Sequence, residues 1–242
     1  MQEIYTGHCN PSSANSVVGM DNVTTTGGAT NISNIGSGFS NGGYGDFRDQ
    51  SISGIYPTQS FSVSLAQGTL VGGKWYGWVD WNNDLVFDNT AGSSEIAFVL
   101  DTGNYTGLTR TITIPDGQAA GDFVLRVKVQ QVSDGDPCGD MLYGEVEDYT
   151  ISVSEACSWN GATSTDWATG SNWSTGAAPT SSDTVLIKGT FTNEPSISST
   201  DAIAKTVIVT TGNTLTIDET SSLTVSGDFT NTGTVTLNST EN

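Results

Sequence analysis

Between Val79 and Asp88 the chain reads VDWNNDLVFD. Asp80, Asn82, Asp84 and Asp88 fall at loop positions one, three, five and nine, with the carbonyl of Val86 at position seven. All are hard oxygen donors, the kind calcium gathers in sets of about six to eight at roughly 2.3–2.6 Å. Alternate spacing lets one loop wrap around one ion. Position six is Leu85 where an EF-hand has Gly, and position twelve is Ala91 where it has Glu. With strand-like flanks as well, the expectation is a β-linked calcium loop that draws further ligands from elsewhere, Glu95 being the nearest. The simpler alternative is an Asn/Asp-rich hairpin turn without an ion.

A second group of carboxylates lies in Gly144-Glu145-Val146-Glu147-Asp148-Tyr149. Strand alternation puts Glu145 and Glu147 on the side of Tyr149, Ile151 and Val153, the expected core side. Carboxylates there need a partner: a second ion, backbone N–H groups, Arg126 or Arg48. Glu145, Glu147 and Asp148 are thus a candidate second ion site or a buried carboxylate cluster. Together with Asp46 they could in principle supply a glycosidase pair, but an ion-ligand or buried-turn role explains them with less. His8 is the single histidine and lies near an N-terminus expected to fray, which argues against triads and zinc sites. No catalysis is expected. Trp75, Tyr76, Trp78 and Trp81 could stack on a glycan, as could Trp159, Trp167 and Trp173, although a strand Trp more often serves a core. Alternation pairs Tyr76 with Trp78 and Trp75 with Trp81 on opposite faces, so one pair is expected to face outward or toward a second domain.

The elements that must position these residues are strands. Strand-like runs lie at 60–65, 74–81, 95–100, 110–114, 123–130 and 147–153, with clear period-two alternation in 123–130 and 149–153, and turn signals fall between them at 101–104, 115–117 and 133–137. No segment has a helical period. The expectation for residues 1–154 is an antiparallel, jelly-roll-like β-sandwich. From 155 the texture changes. A Trp-rich stretch, Cys157 to Pro179, precedes the short triplets Val207–Val209, Leu215–Ile217, Leu223–Val225 and Val235–Leu237. Such repetition is expected of a β-solenoid, a parallel β-helix whose pattern still runs at Asn242; a second sandwich is the alternative.

Formal net charge is −19, from 7 basic and 26 acidic residues. This disfavours phosphate backbones and anionic membranes and favours divalent cations. No stretch is long and apolar enough to span a membrane. Met1-Gln2 reads as an initiator Met on a mature N-terminus, so export is inferred from the remainder of the chain.

Gly144 to Thr150, GEVEDYT, resembles the signature of the GEVED domain family, found in secreted proteins of Bacteroidetes-type bacteria. The likeness extends over residues 5–153, through Cys9, Tyr44-Gly45-Asp46-Phe47, Trp78 to Asp84 (WVDWNND), Pro115, Gly121, Arg126 and Pro137-Cys138, with Leu85 in place of the family's usual Gly. The segment from Trp159 to Leu237 is similar to β-solenoid parts of large surface proteins of the same bacteria. The resemblance implies a secreted or cell-surface protein, non-catalytic and calcium-stabilised, with a structural or adhesin role. It also implies export by type IX secretion machinery through a C-terminal region not in this chain. A carbohydrate-binding module attached to a secreted enzyme is the alternative. Cys9 and Cys138 both lie in the first unit and are expected to pair, leaving Cys157 over.

Overall fold

The computed structural model describes residues 7–68, 73–100, 108–131, 135–198 and 200–238; the expected turn at 101–104, the first residues of that at 133–137, and Met1-Gln2 lie outside them. The chain divides into two compact units, Met1–Ser154 and Glu155–Asn242. Both are built from strands, with only single 3-10 turns at Asn41–Gly43 and Gly170–Asn172 and no α-helix among the described residues. Among the described residues no helix is long and apolar enough to cross a membrane.

The first unit contains β1 (Met20–Thr26), β2 (Ser33–Ile35), β3 (Tyr44–Ile55), β4 (Ser60–Gln67), β5 (Lys74–Val79), β6 (Ile96–Leu100), β7 (Leu108–Thr113), β8 (Gly121–Gln130) and β9 (Gly144–Val153). They form two sheets, ordered β2-β1-β4-β7 and β3-β9-β8-β5-β6. Val23, Phe61, Val63, Leu65 and Ile112 from the first sheet share one buried cluster with Ile52, Trp75, Leu125, Val127, Tyr149 and Ile151 from the second. Alternation sorts these residues inward, and removing their surface from water supplies the main favourable term for the unit, about 25 cal/mol per Å². The first sheet is antiparallel throughout. The second is mixed, because β3 pairs with β9 in parallel. This departs from the antiparallel expectation. A parallel pair needs a long crossover, and here most of the unit lies between the two strands.

The second sheet is covered on its other face as well. Arg126, Lys128 and Gln130 alternate with the core residues of β8 and are themselves buried. The N-terminal segment and residues 136–141 lie over them, bridged at Ser13 and Met141 and joined by the Cys9–Cys138 disulfide. The expected pairing is therefore present, and Cys157 is free and buried. The three sulfurs did not have to pair this way on composition alone; the β8 face brings the two segments together.

The second unit contains β10 (Cys157–Ser158), β11 (Thr184–Ile187), β12 (Ser196–Ile197), β13 (Ala202–Ala204), β14 (Thr206–Val209), β15 (Thr214–Ile217), β16 (Leu223–Val225), β17 (Phe229–Asn231) and β18 (Thr234–Leu237). All named pairings are parallel, in three small sheets ordered β10-β11-β14-β17, β12-β15-β18 and β13-β16. Val185, Val207 and Phe229 are successive partners in the first sheet, and Leu215 and Val235 in the second. Triplets that follow one another in sequence thus lie in different sheets. Trp173 packs edge-on between Trp159 and Trp167. Its Nε1 donates to the Trp167 carbonyl. Buried Asn172 organises the loop beside it, accepting from the N–H groups of Thr163 and Ser164 and donating to Ser164 Oγ and the Asp166 carbonyl.

Removing the disulfide tests how far the first unit relies on it. The bridge spans 129 residues, and a loop of that order lowers unfolded-state entropy by an equivalent of about 4–5 kcal/mol. Cys9→Ala/Cys138→Ala is expected to lose several kcal/mol of first-unit stability in urea titration, with reductant giving the same loss in the parent and none in the double variant.

Candidate functional site

The Asp80–Glu95 connection leaves β5 and returns on β6. It is closed by the Val79 N–H donating to the Glu95 carbonyl at 2.8 Å and the Asp80 N–H donating to the Val124 carbonyl at 3.1 Å. Asp80 is fully buried. Its Oδ2 accepts the Leu85 N–H at 3.0 Å and shares a 2.8 Å hydrogen bond with His8 Nε2. Its Oδ1 is buried and has no hydrogen-bond partner. Further round, Asn82 Oδ1 accepts the Asp84 N–H, Asp84 Oδ1 accepts the Val86 N–H, and Asp88 Oδ1 accepts the Thr90 N–H, each at 2.9 Å. These side-chain-to-backbone turns are the local bonding that short Asx residues favour. Glu95 is buried and accepts the Asp88 N–H at 2.7 Å.

The electrostatics of the loop are those of crowded negative charge. Burial pushes the Glu95 carboxyl up; the Asp88 N–H opposes this, and the charges of Asp80, Asp84 and Asp88 push it further up. Among the described residues, no three His, Cys, Asp or Glu side chains converge into a metal-holding group. An ion here would have to draw on Asn82, the Val86 carbonyl and water beside the carboxylates. The donor set is all oxygen, and the unpartnered Asp80 Oδ1 fits a hard cation. Leu85 adopts φ +70°, a left-handed conformation that Gly takes at lower cost than a branched side chain.

His8 does not fray. It is buried against Asp80 and stacks on Phe87 with ring centroids 4.7 Å apart. Adjacent Cys9 is the signal that could have indicated this, since a crosslinked residue holds its neighbour in place.

In the second carboxylate group each acid has its own protein partner. Glu145 Oε2 accepts the Met20 N–H at 2.6 Å and Oε1 accepts the Ser40 N–H at 2.5 Å. Glu147 Oε2 accepts the Tyr149 hydroxyl at 2.5 Å, and that hydroxyl accepts from Asn34 Nδ2 at 2.7 Å. Asp148 lies on the opposite face, where Oδ1 and Oδ2 accept Nε and Nη2 of Arg126 at 2.8 and 2.7 Å, with the Tyr44 hydroxyl donating to Oδ2 at 2.8 Å. Arg48 pairs with exposed Asp46. Gly144 has no room for a side chain, because a Cβ would stand 2.5 Å from the Val129 carbonyl oxygen and 2.7 Å from Met141 Sδ. Sequence reasoning found the carboxylates and named Tyr44 only within a motif, without its bond to Asp148, and it missed the roles of Asn34 and of Lys128, whose Nζ donates to the carbonyls of Asp136 and Gly139 at 2.6 and 2.9 Å.

The aromatic residues do not form a stacking platform. Trp75 and Trp81 belong to the main core, and Tyr76 and Trp78 form a smaller cluster with Phe87. Alternation sorted the pairs onto opposite faces, but neither pair faces outward; the second face of the sheet is covered too. Trp159, Trp167 and Trp173 are likewise buried.

Gly144, Glu145, Glu147 and Asp148 therefore each have a local structural role, near the end of a region that matches a known family. Residues 74–152 match the family model of the GEVED domain. The match covers β5 to β9 all but completely, including the Asp80–Glu95 loop, Arg126 and the carboxylates, and is narrower than the 5–153 span of the sequence resemblance. Residues 158–242 match a domain of unknown function (DUF8693). No curated protein and no solved structure matches the chain.

Burial raises the Glu147 carboxyl to about 8, with Tyr149 and Ser37 opposing and the Glu145 charge adding to the rise. A folded value above the unfolded one means that folding takes up a proton between about 4.5 and 8; the stabilisation is complete below the unfolded value and is lost as pH rises through the folded one. Glu147→Gln, a neutral isostere, is expected to flatten the decline in stability between pH 5 and 8, read from urea midpoints at each pH. Leu85 is exposed, so Leu85→Gly relieves a left-handed penalty of about 1–2 kcal/mol against an unfolded-chain cost of about 0.4–1 kcal/mol. A net gain of about 1 kcal/mol in urea unfolding is expected.

Proposed function

We propose that the chain is a non-catalytic extracellular module with a structural or adhesin role at a cell surface, stabilised by calcium in the Asp80–Glu95 loop. The observation that carries the calcium reading is Asp80 Oδ1, buried without a partner at the first position of an oxygen-only loop. Asp80, Asn82, Asp84, the Val86 carbonyl, Asp88 and Glu95 would be the ligands. The ion would offset the mutual repulsion of the carboxylates and keep Glu95 ionised in spite of its burial.

The non-catalytic reading is supported by the engagement of the polar groups. His8 is tied to Asp80, Asp148 to Arg126, Glu145 to two backbone N–H groups and Glu147 to Tyr149. A general acid or base must be free to meet a substrate, and these are held by the fold. The disulfide supports an oxidising, extracellular location. For the second unit we infer a β-solenoid. Its support is that β11, β14 and β17 pair in parallel at an offset of 22 residues, Val185 to Val207 to Phe229, while β12, β15 and β18 do so at 20, Ile197 to Ile217 to Leu237. Each turn then adds length against its neighbour alone, which suits a spacer.

Thermal unfolding in calcium and in excess chelator tests the central claim. Calcium is expected to raise the first-unit midpoint by several degrees, and Asp84→Ala to abolish the response. Identical midpoints in calcium and chelator for the parent chain, with no calcium retained after chelation, would refute it.

A further inference from the structure

The outer face of the β2-β1-β4-β7 sheet differs from the rest of this acidic chain. One row across the four strands, in register, is Ser33, Thr24, Ser64 and Thr109, a hydroxyl on every strand. The next row is Ile35, Asn22 and Ala66. In the opposite direction β4 and β7 continue the hydroxyl pattern, with Ser62 opposite Thr111 and Ser60 opposite Thr113. None of these paired, outward positions is charged, in a chain whose net charge is −19. The hydroxyls are held across strands: Ser64 Oγ lies 3.1 Å from Thr109 Oγ1 and Ser60 Oγ 2.8 Å from Thr113 Oγ1. The face is not flat. A groove lined by Asn22, Thr24, Ile35, Ser64, Leu65 and Ala66 lies on it, with Ile35 68% exposed at its edge.

We propose that this groove and the hydroxyl rows beside it bind an uncharged polysaccharide. A hydroxyl has one donor and two acceptor lone pairs, so each bonded Ser–Thr pair keeps capacity for a further partner, already oriented. A neutral glycan presents the same mixed donor and acceptor chemistry. Strands set about 4.8 Å apart repeat it across the sheet, as a polymer repeats it along its chain. Ile35 and Ala66 offer an apolar contact for the C–H face of a sugar ring, the role denied to the buried tryptophans. Charge decides the class. Acidic polysaccharides are repelled by the chain as a whole, whereas a neutral one meets a face with no ion to desolvate. The proposal rests on the reading of the chain as an attachment module and gives that module a site and a ligand class.

Affinity electrophoresis of the whole chain tests it, through gels containing hydroxyethyl cellulose, xyloglucan or galactomannan, and through alginate as the anionic arm. Each is run with calcium and with chelator. Retardation by at least one neutral polymer and none by alginate is expected. Ser64→Asp and Ile35→Asp should each weaken it at least tenfold, while Thr220→Asp on the second unit leaves it unchanged; melting curves confirm that the variants fold. Binding that persists in chelator supports the face independently of the calcium loop. No retardation by any neutral polymer overturns the proposal, as does retardation unaltered by both Ser64→Asp and Ile35→Asp.

Discussion

The first unit is organised around the guanidinium of Arg126. It is fully buried with Asp148 in a two-point ion pair. Its remaining donors reach the Cys9 carbonyl at 2.7 Å, Cys9 Sγ at 3.0 Å and the Pro137 carbonyl at 3.1 Å, and it lies 4.5 Å from the Phe87 ring centroid. A buried charge with any donor unmet would be costly, and removing one member of a buried pair typically costs about 3–5 kcal/mol. Here one planar group binds β9, both segments of the crosslinked cover and Phe87 of the acidic loop. Lysine could not do this, because it lacks the fixed fork of donors.

From that centre the roles of the surrounding acids follow. The carboxylates of the Gly144–Asp148 segment are spent inside the fold, on backbone donors, a tyrosine and the arginine, and they lock the loops before β1 and β3 onto β9. The acids of the Asp80–Glu95 loop are differently placed. They bond mainly to their own backbone, and the one most deeply buried keeps an oxygen without a partner. Two clusters of similar composition thus stand differently, one bonded to distant parts of the fold and one bonded chiefly to its own loop. His8 links them, since it stacks on Phe87 and bonds Asp80 beside Cys9.

The second unit solves burial with short elements. A strand of three or four residues has too little surface to hold alone, so its apolar residues pack on those of strands paired above and below. Val185, Val207 and Val209 with Ile197 and Leu215 form this interior together with the tryptophan cluster. The tryptophans contribute area and also fixed hydrogen bonds, Trp159 Nε1 to the Asn193 carbonyl and Trp173 Nε1 to the Trp167 carbonyl.

Apolar and aromatic runs marked β5 and β6, and period-two alternation made β4, β7, β8 and β9 legible, since an apolar residue at every second position of an amphipathic strand identifies its core face without knowledge of its neighbours. The triplets of β14, β15, β16 and β18 were legible for the same reason. β1, β2 and β3 were not: polar residues and Gly dominate them, and of their residues Met20, Val23, Ile52 and Ile55 are the buried members of the core cluster. The oxygen spacing of the Asp80 loop and the carboxylates of β9 were also plain in the residue order. Arg126 was among the candidate partners and does pair with Asp148, but Met20, Ser40 and Asn34 were not foreseen, because they lie far away in sequence and are brought close only by the tertiary fold. Exposure was likewise undecided. Residue order sorts Tyr76 and Trp78 from Trp75 and Trp81, but whether the second face of a sheet meets water depends on what lies over it. Here the crosslinked N-terminal segment does, and a covering of that kind is a property of tertiary structure alone.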